Sequence, residues 1–113
     1  MQILNKTITV DQLKSMAENS FGDMIKAVVD VNRELIALDS ELHSDLEALL
    51  LENGSAQEYL WGINFYPDLQ GDDFIEFDSM INLRPSQGNT NRGVEDEGIR
   101  RKIIEISGKW ITS

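Results

Sequence analysis

The sequence predicts an α+β domain: a four-stranded, mainly antiparallel sheet with three helices packed on one face, in the order α-ββ-α-ββ-α. Three observations predict it. Three stretches carry apolar residues at helical spacing, four carry them at period two, and the period-two stretches fall in pairs close enough to form hairpins. With 113 residues, 41% of them hydrophobic, the chain has the size of a single domain over residues 1–113 and enough apolar matter for its own core.

The first helix is expected from Val10 to Phe21. Thr9 and Gln12 have capping-box spacing, Leu13, Met16, Ala17 and Phe21 form one stripe, and Gly22 is placed to stop the helix. Met24 to Val31 then alternates, with Ile25, Ala27, Val29 and Val31 on one face and Lys26 and Asp30 on the other. Asn32-Arg33 separates it from Leu35–Leu38, which reads as a hairpin. A second helix is expected over 40–53, with Ser40 as N-cap, Leu42, Leu46, Leu49 and Leu50 as its stripe, and Asn53-Gly54 as its end; an extended strand through Leu42 is the competing reading.

Tyr59–Tyr66 is the third expected strand, closed by Pro67, and Phe74–Leu83 the fourth and longest. The last helix runs from about Glu95 to Ile111, with Ile99, Ile103, Ile106 and Trp110 as its buried stripe, acids at its start and Lys109 near its end. With all helices on one side, the opposite sheet face would be left open and wetter.

The formal charge of −10 is unevenly spread. Residues 1–83 hold sixteen acids against four bases, a net −12, whereas residues 84–113 are net +2. Such a body repels phosphate backbones and disfavours general nucleic-acid binding, but the tail could hold one local anion. There is no cysteine, which removes disulfides, thiolate nucleophiles and thiolate metal ligands. No apolar run approaches the length of a membrane span, and the N-terminal residues lack a signal-peptide core; the expectation is a cytoplasmic protein with no membrane partner.

Three stretches are candidates for chemistry. Glu41–Glu47 holds the only histidine; on a helix His43 and Glu47 share a face, so His43 with Asp45 or Glu47 could form an acid–base pair. One nitrogen ligand is a poor basis for a metal centre, and no metal or other cofactor is expected. The structural alternative is a histidine salt-bridged to Glu47 on a polar helix face. The loop from Arg84 to Gly93 is rich in donors and contains no acid. Arg84, Gln87 and Asn89, with Asn64 and Asn82 on the open sheet face, are the candidate ligand-binding residues, and a small anion is the candidate ligand. The loop is neither a Walker motif nor a dinucleotide fingerprint, and its alternative role is a connector whose Arg84 pairs with Asp78 or Glu76. Third, Gly62 among the aromatic residues of Trp61–Tyr66 leaves room for a ligand or a neighbouring ring. Asp68, Asp72 and Asp73 around Gly71 lack EF-hand spacing.

The segments Glu41-Leu42-His43-x-Asp45-x-Glu47-Ala48-Leu49-Leu50-Leu51-Glu52, Leu60-Trp61-Gly62-x-Asn64-x-Tyr66-Pro67 and Ile81-Asn82-x-Arg84-Pro85-x-Gln87-Gly88-Asn89 together resemble a family of short prokaryotic proteins catalogued only as a domain of unknown function. The resemblance implies a whole-domain family and carries over no activity. The residues themselves favour a small binding or regulatory module, more readily than an enzyme, working through the Arg84–Asn89 loop and the open sheet face. One alternative is a small hydrolase or nuclease-like enzyme with His43 as its acid–base group. Another is a homodimer joined through the sheet face at Met80 and Tyr66.

Overall fold

A computed structural model describes residues 1–113 as a mixed α/β domain with three helices and an antiparallel sheet. In chain order the elements are β1 (Gln2–Ile3), β2 (Ile8–Thr9), α1 (Val10–Glu18), β3 (Ile25–Asp30), β4 (Leu35–Leu38), α2 (His43–Glu52), β5 (Leu60–Phe65), β6 (Ile75–Glu76), α3 (Glu97–Trp110) and β7 (Ile111–Thr112). The sheet has five strands rather than four, in the order β1-β4-β3-β5-β6, with every neighbouring pair antiparallel. β2 and β7 form a separate two-stranded parallel ribbon. The expected order α-ββ-α-ββ-α is corrected accordingly: short strands precede α1 and follow α3, and they lacked the length for a period to show.

The second correction concerns the layers. α1 and α3 cover one face, where Leu13, Ala17, Ile103 and Ile106 pack against Ile25, Ala27, Val29, Ile36, Trp61, Ile63 and Phe65. α2 covers the other, with Leu46 and Leu50 on Val28, Ala37 and Leu60. The helices therefore flank the sheet, and the open face expected from the sequence is covered. Val28 and Ala37 explain why. They are apolar residues on the face assigned to water, and they need a cover as much as their neighbours do.

Local signals account for most element ends. Thr9 makes the full capping box: its Oγ1 accepts from the Gln12 N–H at 3.1 Å, and its own N–H donates to Gln12 Oε1 at 2.8 Å. α1 stops before Gly22, whose φ of +97° brings its N–H back to the Ala17 carbonyl. The turn from β3 to β4 has no glycine. Asp30, fully buried, stands in: its Oδ1 accepts from the N–H groups of Asn32 and Arg33, and its Oδ2 from the Ser55 hydroxyl. Glu34 completes the turn at φ +57°.

α2 resolves the choice over 40–53 in favour of a helix, with a shifted start. Ser40 does not cap it; Leu42 is the N-cap, without a side-chain bond, and His43 is the first helical residue. The buried stripe is His43, Leu46 and Leu50, while Leu42 is 56% exposed. Phe74–Leu83 is not one long strand. Only Ile75–Glu76 pairs with β5; the chain then turns at Ser79, whose Oγ accepts from the Ile81 N–H, into a short 3₁₀ turn over Met80–Asn82.

The register of α2 is testable. Leu50→Ala removes a fully buried side chain and should cost about 2–5 kcal/mol. Leu42→Ala should change stability by less than about 0.5 kcal/mol. Urea unfolding of the two variants checks this; comparable losses would restore the leucine stripe that the sequence suggested.

Candidate functional site

The residues singled out in the sequence converge on the outer edge of β5. β6 pairs only with the Asn64–Phe65 end of that strand, so its first half has no strand beyond it. Side chains take that place. The Asn82 carboxamide accepts from the Gly62 N–H at 2.8 Å and donates to the Gly62 carbonyl at 2.9 Å, the two bonds a neighbouring strand residue would make. Arg84 continues the edge: its guanidinium donates to the carbonyls of Leu60 and of Gln57, the latter at 2.6 Å, and lies 4.2 Å over the Trp61 ring.

Gly62 is required by this arrangement. A Cβ there would stand 2.5 Å from Ser79 Cβ and Oγ. The glycine that the sequence marked as room for a ligand is filled by the chain's own turn.

Asn89 holds the loop to the same edge. Its Nδ2 donates to the carbonyls of Asn82, Asn91 and Gly93, and its Oδ1 accepts from the Glu95 N–H. Arg84 and Asn89 also exchange backbone bonds, in both directions. Gln87 reaches the Glu58 carbonyl. Asn64 donates to the Glu76 carboxylate and the Asp78 carbonyl. The ion pair expected of Arg84 falls instead to Arg92, 2.7 Å from Asp78. Burial pulls the Arg84 pKa down and the Glu47 charge opposes that; the guanidinium stays protonated throughout. Gln87 and Asn89 also line a cavity of about 300 Å³ with Trp61, Glu95 and Asp96. Its two carboxylates oppose an anion, and Asp96 already caps α3 through the Ile99 N–H.

His43 faces the sheet, 8% exposed. Its Nε2 lies 2.8 Å from the Ile63 carbonyl, and a carbonyl only accepts, so the neutral ring carries its proton on Nε2. Burial lowers its pKa below the ordinary 6.5, and Lys26 adds to this; the Ile63 carbonyl, Asn64 and Asp78 act the other way. Asp45 is exposed on the outer side of α2, and Glu47 is half-buried on the Arg84 side. None of the three main cavities is lined by His43, Asp45 or Glu47. No group of three or more His, Asp or Glu side chains is gathered in metal-ligand geometry.

The largest cavity lies elsewhere. α3 is anchored at the β3–β4 turn, where Trp110 Nε1 donates to the Glu34 carbonyl and Lys102 and Lys109 reach the Glu34 carboxylate. Another of its faces, Arg100, Ile104, Ser107 and Gly108, continued by Ile111, turns toward Val10 and the segment Gly71–Phe77. Between them lies a groove of about 750 Å³, walled by Phe74, Ile75 and Phe77. The Arg100 guanidinium sits 5.1 Å over the Phe77 ring and takes part in none of the chain's four ion pairs. The Ser107 hydroxyl is buried without a hydrogen-bond partner. Sequence reasoning missed this groove, although a signal was present: Ile104 lies off the Ile99–Trp110 stripe.

A small, mixed α/β domain with helices on both faces, a sheet edge closed by side chains and one large groove is thus what the chain defines. It belongs to a family described as "Protein of unknown function (DUF5674)", whose model matches residues 2–110. No curated protein and no solved structure matches it. No helix is long and apolar enough to cross a membrane.

Two outcomes are expected. Gly62→Ala should destabilise by about 1–3 kcal/mol in urea unfolding, because Ser79 cannot remain where it is; a neutral effect would mean the edge closes in another way. Acidification should also weaken the fold through His43. The unfolded imidazole takes up a proton at its ordinary 6.5, whereas the folded one resists, so this stability is complete above 6.5 and is lost as pH falls through the depressed folded value. His43→Gln should therefore lose less denaturation midpoint than wild type between pH 7.5 and pH 5. Equal losses would show that the buried imidazole plays no part.

Proposed function

We propose that this protein is a small binding module and that its ligand seat is the groove between α3 and the Gly71–Phe77 segment. The observation that carries the reading is the groove itself. Its volume of about 750 Å³ falls in the ordinary range for small-molecule sites, and its walls combine aromatic and aliphatic side chains with the polar groups of Asp72, Arg100, Ser107 and Ser113. Gly108 adds support. A Cβ at this position would meet nothing within 4 Å, so a larger side chain here would project into the open space beside the groove.

On this reading the Arg84–Asn89 loop and the Asn64 and Asn82 amides serve as scaffold, since most of their donors are already engaged by backbone groups and by Glu76, Arg84 Nε being the one left without a partner. The acid–base alternative needs an imidazole that a substrate can reach, and His43 is covered and already donating. The homodimer alternative loses its proposed surface to α2, although Met80 remains 63% exposed.

The test is a titration of the ¹⁵N-labelled protein with 8-anilinonaphthalene-1-sulfonate, a dye with an apolar aromatic body and one sulfonate, followed by amide shifts. Saturable changes confined to residues 71–77 and 100–111 are expected. Gly108→Met, which puts a side chain into that space, should weaken binding at least tenfold. Shifts elsewhere, or binding indifferent to the methionine, would overturn the groove as the seat.

A further inference from the structure

The placement of the groove's polar side chains narrows what it takes. Arg100 stands at one point of the wall, stacked on Phe77 and unpaired. Asp72 also lines the groove, but it is not within ion-pairing distance of the guanidinium. Seven residues further along the same helix, about 10 Å by helical rise, Ser107 is 3% exposed and its hydroxyl has no partner. A buried hydroxyl without a hydrogen bond is costly to leave open. Between the two polar points along the helix lies Ile104, with Gly108 just beyond Ser107, and Phe74 also lines the groove.

We infer that the groove takes an amphipathic organic anion: a carboxylate on an apolar body. The carboxylate pairs with the Arg100 guanidinium, whose stacking on Phe77 holds the fork of donors in place. The apolar body lies over Gly108 between Ile104 and Phe74. Ser107 offers a hydrogen bond to a second polar atom on the body, at a distance that a single compact anion such as phosphate could not span. The inference rests on the groove being the seat, and it adds the sign of the ligand's charge.

Three eight-carbon probes of different charge separate the two statements: octanoate, octanol and octylamine, each titrated at pH 7.5 by calorimetry and amide shifts. Octanoate is expected to bind at least tenfold more tightly than the other two. Arg100→Gln, with its fold checked by circular dichroism, should remove that preference while leaving octanol within about twofold. Arg100→Lys should retain part of it, as charge without the planar fork. Equal binding of octanoate and octanol, or tighter binding of octylamine, as Asp72 would favour, overturns the anion and leaves the groove standing. If none of the three binds at millimolar concentration, both statements fall.

Discussion

The fold depends on one substitution of side chain for backbone. β5 is the centre of the molecule's polar accounting: it pairs with β3 along its whole length, and with β6 only at its far end. Its remaining N–H and C=O groups are buried and must find partners, since each one left open would cost as much as a lost hydrogen bond. Asn82 supplies the missing strand as a carboxamide, which has the same donor and acceptor as a peptide group, and Arg84 supplies donors where only carbonyls remain. This closure needs the chain to come in close, hence Gly62 under Ser79, and it needs the incoming chain to be tied down, hence Asn89 on the carbonyls of Asn82, Asn91 and Gly93.

The same constraint explains where reasoning from sequence succeeded and where it stopped. Elements with a full local signature were legible. The capping box at Thr9, the alternation of Ile25–Asp30, the hairpin after it and the Ile103–Ile106 stripe are fixed by neighbours a few residues apart. Phe74–Leu83 alternates just as well, yet it leaves the sheet after Glu76. Period two states only which residues could share a face. Whether a strand forms is decided by what else can satisfy the neighbouring edge, and here Asn82 and Arg84 compete successfully with the backbone. The side of the sheet that α2 takes was hidden for a related reason: Val28 and Ala37 are small signals against the charged Lys26 and Asp30 in the same alternation.

The candidate site was legible in its residues, and the hydrogen bonds they make within the chain were not. Asn64, Asn82, Arg84, Gln87 and Asn89 do converge, as polar side chains rarely do without reason. Donor-rich loops are ambiguous, however, because a backbone carbonyl and a ligand's oxygen are the same acceptor to a guanidinium or a carboxamide. Distance along the chain conceals the carbonyls: Arg84 reaches Gln57 and Leu60 across more than twenty residues. His43 shows the converse. It was singled out for its chemistry, and what places it is geometry, the first turn of a helix whose inner stripe begins one residue later than the leucines implied.

What a fold leaves unsatisfied is then more informative than what it gathers. Several cations of the acidic body are held within the fold: Lys102 and Lys109 close on Glu34, Arg92 on Asp78, and Arg33 and Arg84 on backbone oxygens. Arg100 has only the face of an aromatic ring, and it stands beside the largest hollow in the molecule. The helix that carries it is fixed from its other side, by Trp110 and the two lysines at the β3–β4 turn. The groove wall is accordingly held by contacts that a ligand would not have to break. Rigid support on one face with an open cation and a bare glycine on another is an arrangement that lowers the ordering cost of binding.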